Sequence, residues 1–204
     1  LLGATLRDAN GSPEGLLMVS NKLDGEFTEE NEAALKQLAA LASLGLQHIK
    51  LRIKAQQRAD ELQAVMEAAP AAVWIAHDPE CQNITGNRFS YDMLHLPYGA
   101  NTSKSAPTEA PTNFRVLQNG REVAPPDLPV QLAAHTGRKI LGTELTLVFA
   151  DGVSREIFGN AAPLFDEQSR VRGAVGIFVD ITELNQAEEA LRQSEARLRL
   201  AQDA

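Results

Sequence analysis

The sequence predicts an α+β protein in which a five-stranded antiparallel sheet is carried between long, coiled-coil-like helices. Three observations lead there. Residues 29–69 keep a helical pattern whose only interruption is Gly45, until Pro70 stops it. Residues 140–179 hold three segments of strand alternation separated by turn formers. At Asp180-Ile181-Thr182 the apolar period changes from two to three and a half, so that a strand runs directly into a helix.

The first elements are two short strands, Leu1 to Leu6 and Leu16 to Ser20, joined by the turn-rich run Asp8-Ala9-Asn10-Gly11-Ser12-Pro13. Two strands alone bury no core, so they need a partner. Thr28 is placed as a helix N-cap, with Glu29 and Glu30 set favourably against the helix dipole. At about 1.5 Å per residue the helix that follows reaches roughly 60 Å, the length of a connector. Its apolar stripe runs Leu35, Leu38, Ala42, Leu46, Ile49, Ile53, and the 4-4-3-4 spacing of its later part departs from a strict heptad as a stutter would. The stripe thins between Arg52 and Arg58, then resumes at Leu62, Val65, Met66 and Ala69.

From Ala71 the pattern becomes compact. Ala71 to Ala76 is a strand holding Trp74, and a turn at Asp78-Pro79 leads to a second strand through Ile84. A helix follows from about Asn87 to Leu94. Residues 97–130 are proline-rich and read as a long irregular passage, ending in a short helix from Asp127 to Thr136 that Gly137 terminates. Ile140 to Phe149 and Val153 to Leu164 form a hairpin about Asp151-Gly152. After the loop Asp166 to Arg170, Val171 to Val179 is apolar on both faces and is expected to be a central strand covered on both sides. In the last helix Thr182 is the expected N-cap, and Ile181, Leu184, Leu191 and Leu198 occupy a and d positions beside polar Glu188 and Glu195.

Composition narrows the function classes. A hydrophobic fraction of 44% and a charged fraction of 23% are those of an ordinary globular chain. A net charge of -8 argues against nucleic acid, whose phosphates require a basic surface. The single cysteine, Cys81, allows no internal disulfide and fits a reducing cytoplasm. No apolar run has the length of a membrane span and no signal-peptide pattern opens the chain, so the expected location is cytoplasmic. The start at Leu1-Leu2 suggests a piece of a longer protein, which itself is free to carry an anchor elsewhere.

Two short strands, a helical and irregular middle, then three long antiparallel strands ending in Asp180-Ile181-Thr182-Glu183 resemble a PAS domain over about residues 62–182. Its carriers are Asn87 opening the first short helix, Glu144-Leu145 before Ala150-Asp151-Gly152, Asn160-Ala161-Ala162-Pro163-Leu164, and residues 173–183. Residues 186–198 are similar to the linker helix that joins PAS domains to a further PAS domain or to a kinase core. The first 50 residues resemble the C-terminal third of a GAF domain, through residues 15–20, Gly25-Glu26-Phe27-Thr28-Glu29-Glu30 and Leu38-Ala39, with Asn31 where many of that family have Asp. The implied division is 1–50 partial GAF, 51–69 connecting helix, 70–182 PAS and 183–204 output helix. What the resemblance implies is the sensory and relay region of a cytoplasmic sensor histidine kinase, working as a parallel homodimer. The relay junction is Asp180, Ile181 and Thr182, and the dimer seam is Leu35, Leu38, Ala42, Ile49, Leu184, Leu191 and Leu198. The alternatives are the sensor region of a diguanylate cyclase and a ligand-free PAS spacer that only dimerises.

Catalytic chemistry has no constellation in this segment: no phosphate loop, and a helical His48 without the acidic neighbour of a phosphoacceptor box. Gly86-Asn87-Arg88-Phe89 lacks the cysteine of a flavin-adduct motif, and His135 is the one candidate for a haem ligand, by fold analogy. His77 and Cys81 read as exposed turn residues rather than metal ligands. No cofactor is required, and a small-molecule ligand in the domain interior is open. Gly142, Gly159, Ala161, Gly173 and Gly176 either leave room for it or permit tight packing.

Overall fold

The computed structural model of the chain describes residues 1–23 and 25–202, with Leu198 and residues 200–202 described by backbone alone. The chain divides into two compact units, Leu1–Ala64 and Val65–Ala204.

In the first unit β1 (Leu2–Arg7) and β2 (Pro13–Val19) pair antiparallel. They are followed by α1 (Glu29–Ala68), whose last turn belongs to the second unit. Thr28 and Asn31 form a capping box: the Thr28 amide donates to Asn31 Oδ1 at 3.1 Å, and the Asn31 amide donates to Thr28 Oγ1 at 3.4 Å. Leu35, Ala39 and Ser43 fall on one stripe at i, i+4, and bury against Ala4 with Leu2, Leu6 and Leu17 beside it. The Arg7 amide donates to Ser43 Oγ at 3.0 Å, which gives the hairpin the partner it needs.

The second unit is built on one antiparallel sheet ordered β4-β3-β9-β8-β7-β5-β6. Its elements are β3 (Ala72–Ala76), β4 (Ile84–Gly86), α2 (Arg88–Leu94), β5 (Phe114–Gln118), β6 (Arg121–Glu122), α3 (Pro129–Thr136), β7 (Ile140–Phe149), β8 (Ser154–Phe165), β9 (Val171–Asp180) and α4 (Thr182–Gln202). The sheet therefore has seven strands among the described residues, not five. The two additional strands arise inside the stretch expected to be irregular, where Asn119 (φ 52°) and Gly120 (φ 76°) make a two-residue turn between β5 and β6. Both central residues of a type I′ hairpin require positive φ, which this pair tolerates. α3 begins at Pro129 rather than Asp127, because the proline takes the first helical position and a 3₁₀ turn, Pro125–Asp127, precedes it.

β9 is central, between β3 and β8, but only one of its faces is covered. Ala174, Gly176 and Phe178 face the core, where Trp74 lies 5.7 Å from the Phe178 ring. On the other face Ile177 and Val179 are 50% and 40% exposed, contrary to the two-sided cover expected. The reason is that α3 packs on the Phe178 face: a Cβ at Gly176 would stand 2.6 Å from Val130 Cγ2. At Gly159 a Cβ would meet the Ile177 carbonyl at 2.0 Å. Space at these two glycines is thus taken by packing.

Cys81 is also placed differently from expectation, for it is fully buried in the core. Asp78 explains this: its carboxylate accepts the Gln82 and Asn83 amides, each at 2.8 Å, and curls the turn so that Cys81 points inward. Burial, with Asp78 and Glu80 adding to it, pushes the thiol up to about 11.

Candidate functional site

The junction of β9 and α4 is built from contacts to two strands, β8 and β9. Asp180, the last residue of β9, accepts the Thr182 amide (3.0 Å) and hydroxyl (2.5 Å) on Oδ1, and Arg155 Nη1 (2.9 Å) on Oδ2. Thr182 Oγ1 in turn accepts the Glu156 amide at 2.8 Å, and the Ile181 amide donates to the Glu156 carbonyl at 2.8 Å. Asn185 Nδ2 donates to the Glu156 carboxylate. Asp180 is therefore the residue whose carboxylate caps the helix start, where negative charge suits the dipole. Thr182, expected to be the cap, instead fastens the helix to β8. Burial pushes the Asp180 carboxyl up, but the bonds from Thr182 and the Arg155 guanidinium outweigh it and hold the group below 3.8. Arg155, Glu156 and Asn185 complete the junction and were absent from the sequence reading.

A second joint lies where α1 enters this unit. Asn87 is fully buried and makes four side-chain bonds. Oδ1 accepts the Val73 amide (3.1 Å) and the Ser90 amide (3.0 Å), while Nδ2 donates to the Met66 carbonyl (2.8 Å) and the Ala71 carbonyl (2.9 Å). Met66 is in the last turn of α1, so Asn87 caps the end of one helix and the start of another. Glu67 reciprocates, accepting the Arg88 amide at 2.8 Å and the Tyr98 hydroxyl at 3.4 Å.

Between sheet and α3 lies a cavity of about 80 Å³. Its walls are apolar, among them Trp74, Phe114, Leu145, Leu147, Ile157 and Phe178, and its polar lining is Thr102, Lys104 and Gln131. Trp74 Nε1 is buried without a hydrogen-bond partner. The Lys104 ammonium donates to the Pro111 (2.6 Å) and Phe114 (2.5 Å) carbonyls and stands 4.0 Å from the Phe114 ring centroid. Burial lowers its pKa, with Glu122 acting in the opposite direction.

The remaining expected residues lie as follows. Leu35 is buried in the first unit's own core, while Leu38, Ala42 and Ile49 are exposed on α1. Ile181 is half-buried at the junction, and Leu184 and Leu191 are exposed on α4. The Leu198 side chain lies outside the described residues. His135 is exposed at the end of α3 and is not part of the cavity lining, and His48 is exposed on α1. Among the described residues no three His, Cys, Asp or Glu side chains group as a metal site. Among them, too, no helix is long and apolar enough to cross a membrane.

No family model matches the chain, and no curated protein does. Solved structures do. The E. coli DhaR(N)–DhaL complex is similar over 87% of this chain at 17% identity, with a TM-score of 0.52. This chain spans about half, 53%, of the one it matches there. The PAS domain of an HTR-like protein from Haloarcula marismortui is 15% identical over 65% of this chain and 98% of its own, with a TM-score of 0.42. The PAS domain of Bordetella pertussis BvgS is 16% identical over 70% and 98%, with a TM-score of 0.44. At these identities the likeness concerns the fold alone.

Proposed function

We propose that this chain is the sensory and signal-relay region of a cytoplasmic signal-transduction protein, a sensor histidine kinase, working as a parallel homodimer. The observation that carries the relay is the junction: the end of a central strand supplies the cap of α4, and the neighbouring strand holds the same helix turn through Arg155 and Glu156. A change in the sheet at this point is transmitted to the helix because the two share hydrogen bonds. For a two-state helix, a bias of about 1–3 kcal/mol alters output several-fold. The kinase assignment rests on the resemblance of residues 186–198 to a linker helix, and the first 50 residues are read as the end of a GAF domain. The homodimer is favoured by the apolar side chains that α1 and α4 leave exposed, Leu38, Ile49, Leu184 and Leu191.

Hydrogen exchange tests the relay. Asp180→Ala should raise exchange at the first amides of α4 while the β3 and β8 amides stay protected. Equal protection of α4 with and without the carboxylate defeats the relay reading. Sedimentation equilibrium tests the dimer, and a monomer at every concentration removes that part.

A further inference from the structure

The cavity lining holds one charged residue, Lys104, and its nearest carboxylate influence, Glu122, acts from beyond salt-bridge distance. Among the described residues no ion pair joins Lys104 to an acid. Its ammonium has three N–H donors, of which two go to the Pro111 and Phe114 carbonyls. A half-buried cation whose hydrogen bonds go only to neutral carbonyls has a donor left for an anion, and a carboxylate meets an ammonium through charge-assisted bonds about twice as strong as neutral ones. The remaining wall is almost wholly apolar, so a doubly charged guest would leave one charge desolvated and unpaired.

Volume sets the size of the guest. An apolar cavity of roughly 150 Å³ accepts the six carbons of benzene, so the space here, about 80 Å³, accommodates about three heavy atoms, the tail of a short acid once its carboxylate is on the Lys104 ammonium. It is far below the roughly 300–1,000 Å³ of sites for drug-sized ligands and cofactors.

We propose that this cavity binds a short aliphatic monocarboxylate, its carboxylate on the Lys104 ammonium and its tail against Phe114, Leu145, Leu147 and Ile157. The role of that binding as a sensed signal rests on the relay reading, whereas the binding itself does not. The other polar lining residues, Thr102 and Gln131, are buried and already donate to the Ile84 carbonyl (3.1 Å) and the Ser105 hydroxyl (3.3 Å), so a second polar group on the guest gains little from them.

Butyrate and its neutral isostere butyramide are the probes, each titrated into the full chain and followed by ligand-observed NMR and by the shift in unfolding midpoint. Butyrate should bind roughly tenfold or more tightly than butyramide, the factor expected of one charge-assisted contact. Lys104→Met should reduce butyrate to the butyramide level, and Lys104→Arg should retain most of the preference. Octanoate should gain nothing over butyrate, because its tail outgrows the cavity. Equal affinity for butyrate and butyramide overturns the proposal in favour of a neutral apolar guest. No binding of either overturns it in favour of a packing void, and so does butyrate binding that survives Lys104→Met. If Lys104→Met fails to fold, the comparison of the two probes on the unmutated chain still decides. Butyrate bound by the unmutated chain with no change in hydrogen exchange at α4 would refute the relay and leave this site standing.

Discussion

Asn87 joins the incoming helix, the first strand of the sheet and α2 through one side chain, and its removal has a calculable effect. Asn87→Ala strips the Val73 amide and the Ala71 carbonyl of their partner inside the core, and the Met66 carbonyl at a part-buried position. The Ser90 amide keeps a bond to the backbone carbonyl of residue 87, at 3.1 Å. Two buried groups left unsatisfied cost about 1–3 kcal/mol each, and loss of the cap adds about 1 kcal/mol. The expected destabilisation is therefore about 5 kcal/mol, or roughly 15 °C in Tm for a unit of this size. Urea unfolding followed by Trp74 fluorescence reads it directly, because Trp74 is the only tryptophan of the chain and sits in the core of the second unit. Asn87→Asp is the sharper variant. One oxygen still accepts the Val73 and Ser90 amides, but the other now faces two carbonyl oxygens in a buried place, which raises the carboxyl's pKa. Because the folded pKa then exceeds the unfolded one, stability should rise as pH falls through the folded value, opposite to the usual carboxylate. A loss below about 1 kcal/mol for the alanine, or an aspartate variant indifferent to pH, refutes the four-bond account.

Three further outcomes follow from the packing and the charges. Gly159→Ala forces a Cβ against the Ile177 carbonyl and the Phe178 Cα, and should destabilise the sheet by about 3 kcal/mol in the same urea assay. Cys81 should react with iodoacetamide at least about a hundredfold more slowly in the native than in the unfolded chain, since its thiol is buried and its pKa raised from 9.0 to about 11. Asp180 is held below 3.8, so its contribution to α4 is complete above that pH and is lost only as pH falls through its lower folded value. The stability gap between wild type and Asp180→Asn should accordingly stay constant from neutral pH to about pH 5 and close at strongly acidic pH.

Most of the strands were legible because their side chains alternate, and the helices because Thr28, Pro70 and Gly137 mark their ends. β5 and β6 were obscured by the prolines around them, although Asn119-Gly120 is a strong hairpin signal and would have located both. The junction was visible as a change of period, but its partners were not. Arg155 and Glu156 stand some 25 residues away from it, and only strand register brings them there. Counting from the loop at Asp166 to Arg170 would have set Asp180 opposite Glu156, one residue from the observed Ile157, since the irregularity at Leu164/Phe165 shifts the ladder. Cys81 was misjudged because the turn's direction is decided by a carboxylate bonding backbone amides, which apolar periodicity does not register. The cavity was equally hidden, being defined by Lys104 in a segment without any regular pattern.

The ladder between β8 and β9 also limits how a signal can move. It runs from Ile157 opposite Asp180 to Phe165 opposite Val171, with a shifted register near its far end. Sliding β9 by a single residue would turn Phe178 outward and bring Ile177 into the core, reversing every side chain of the strand. Translation is thus blocked, and the irregular pairing at Leu164/Phe165 locks the register like a key in a slot. What remains is rotation: the sheet can change its twist, and α4, fixed to two strands at its first turn, must swing with it. On the proposed relay the strand would act as a torsion rod and the helix as its lever, so that a small angle at the sheet becomes a lateral displacement that grows with distance along the helix.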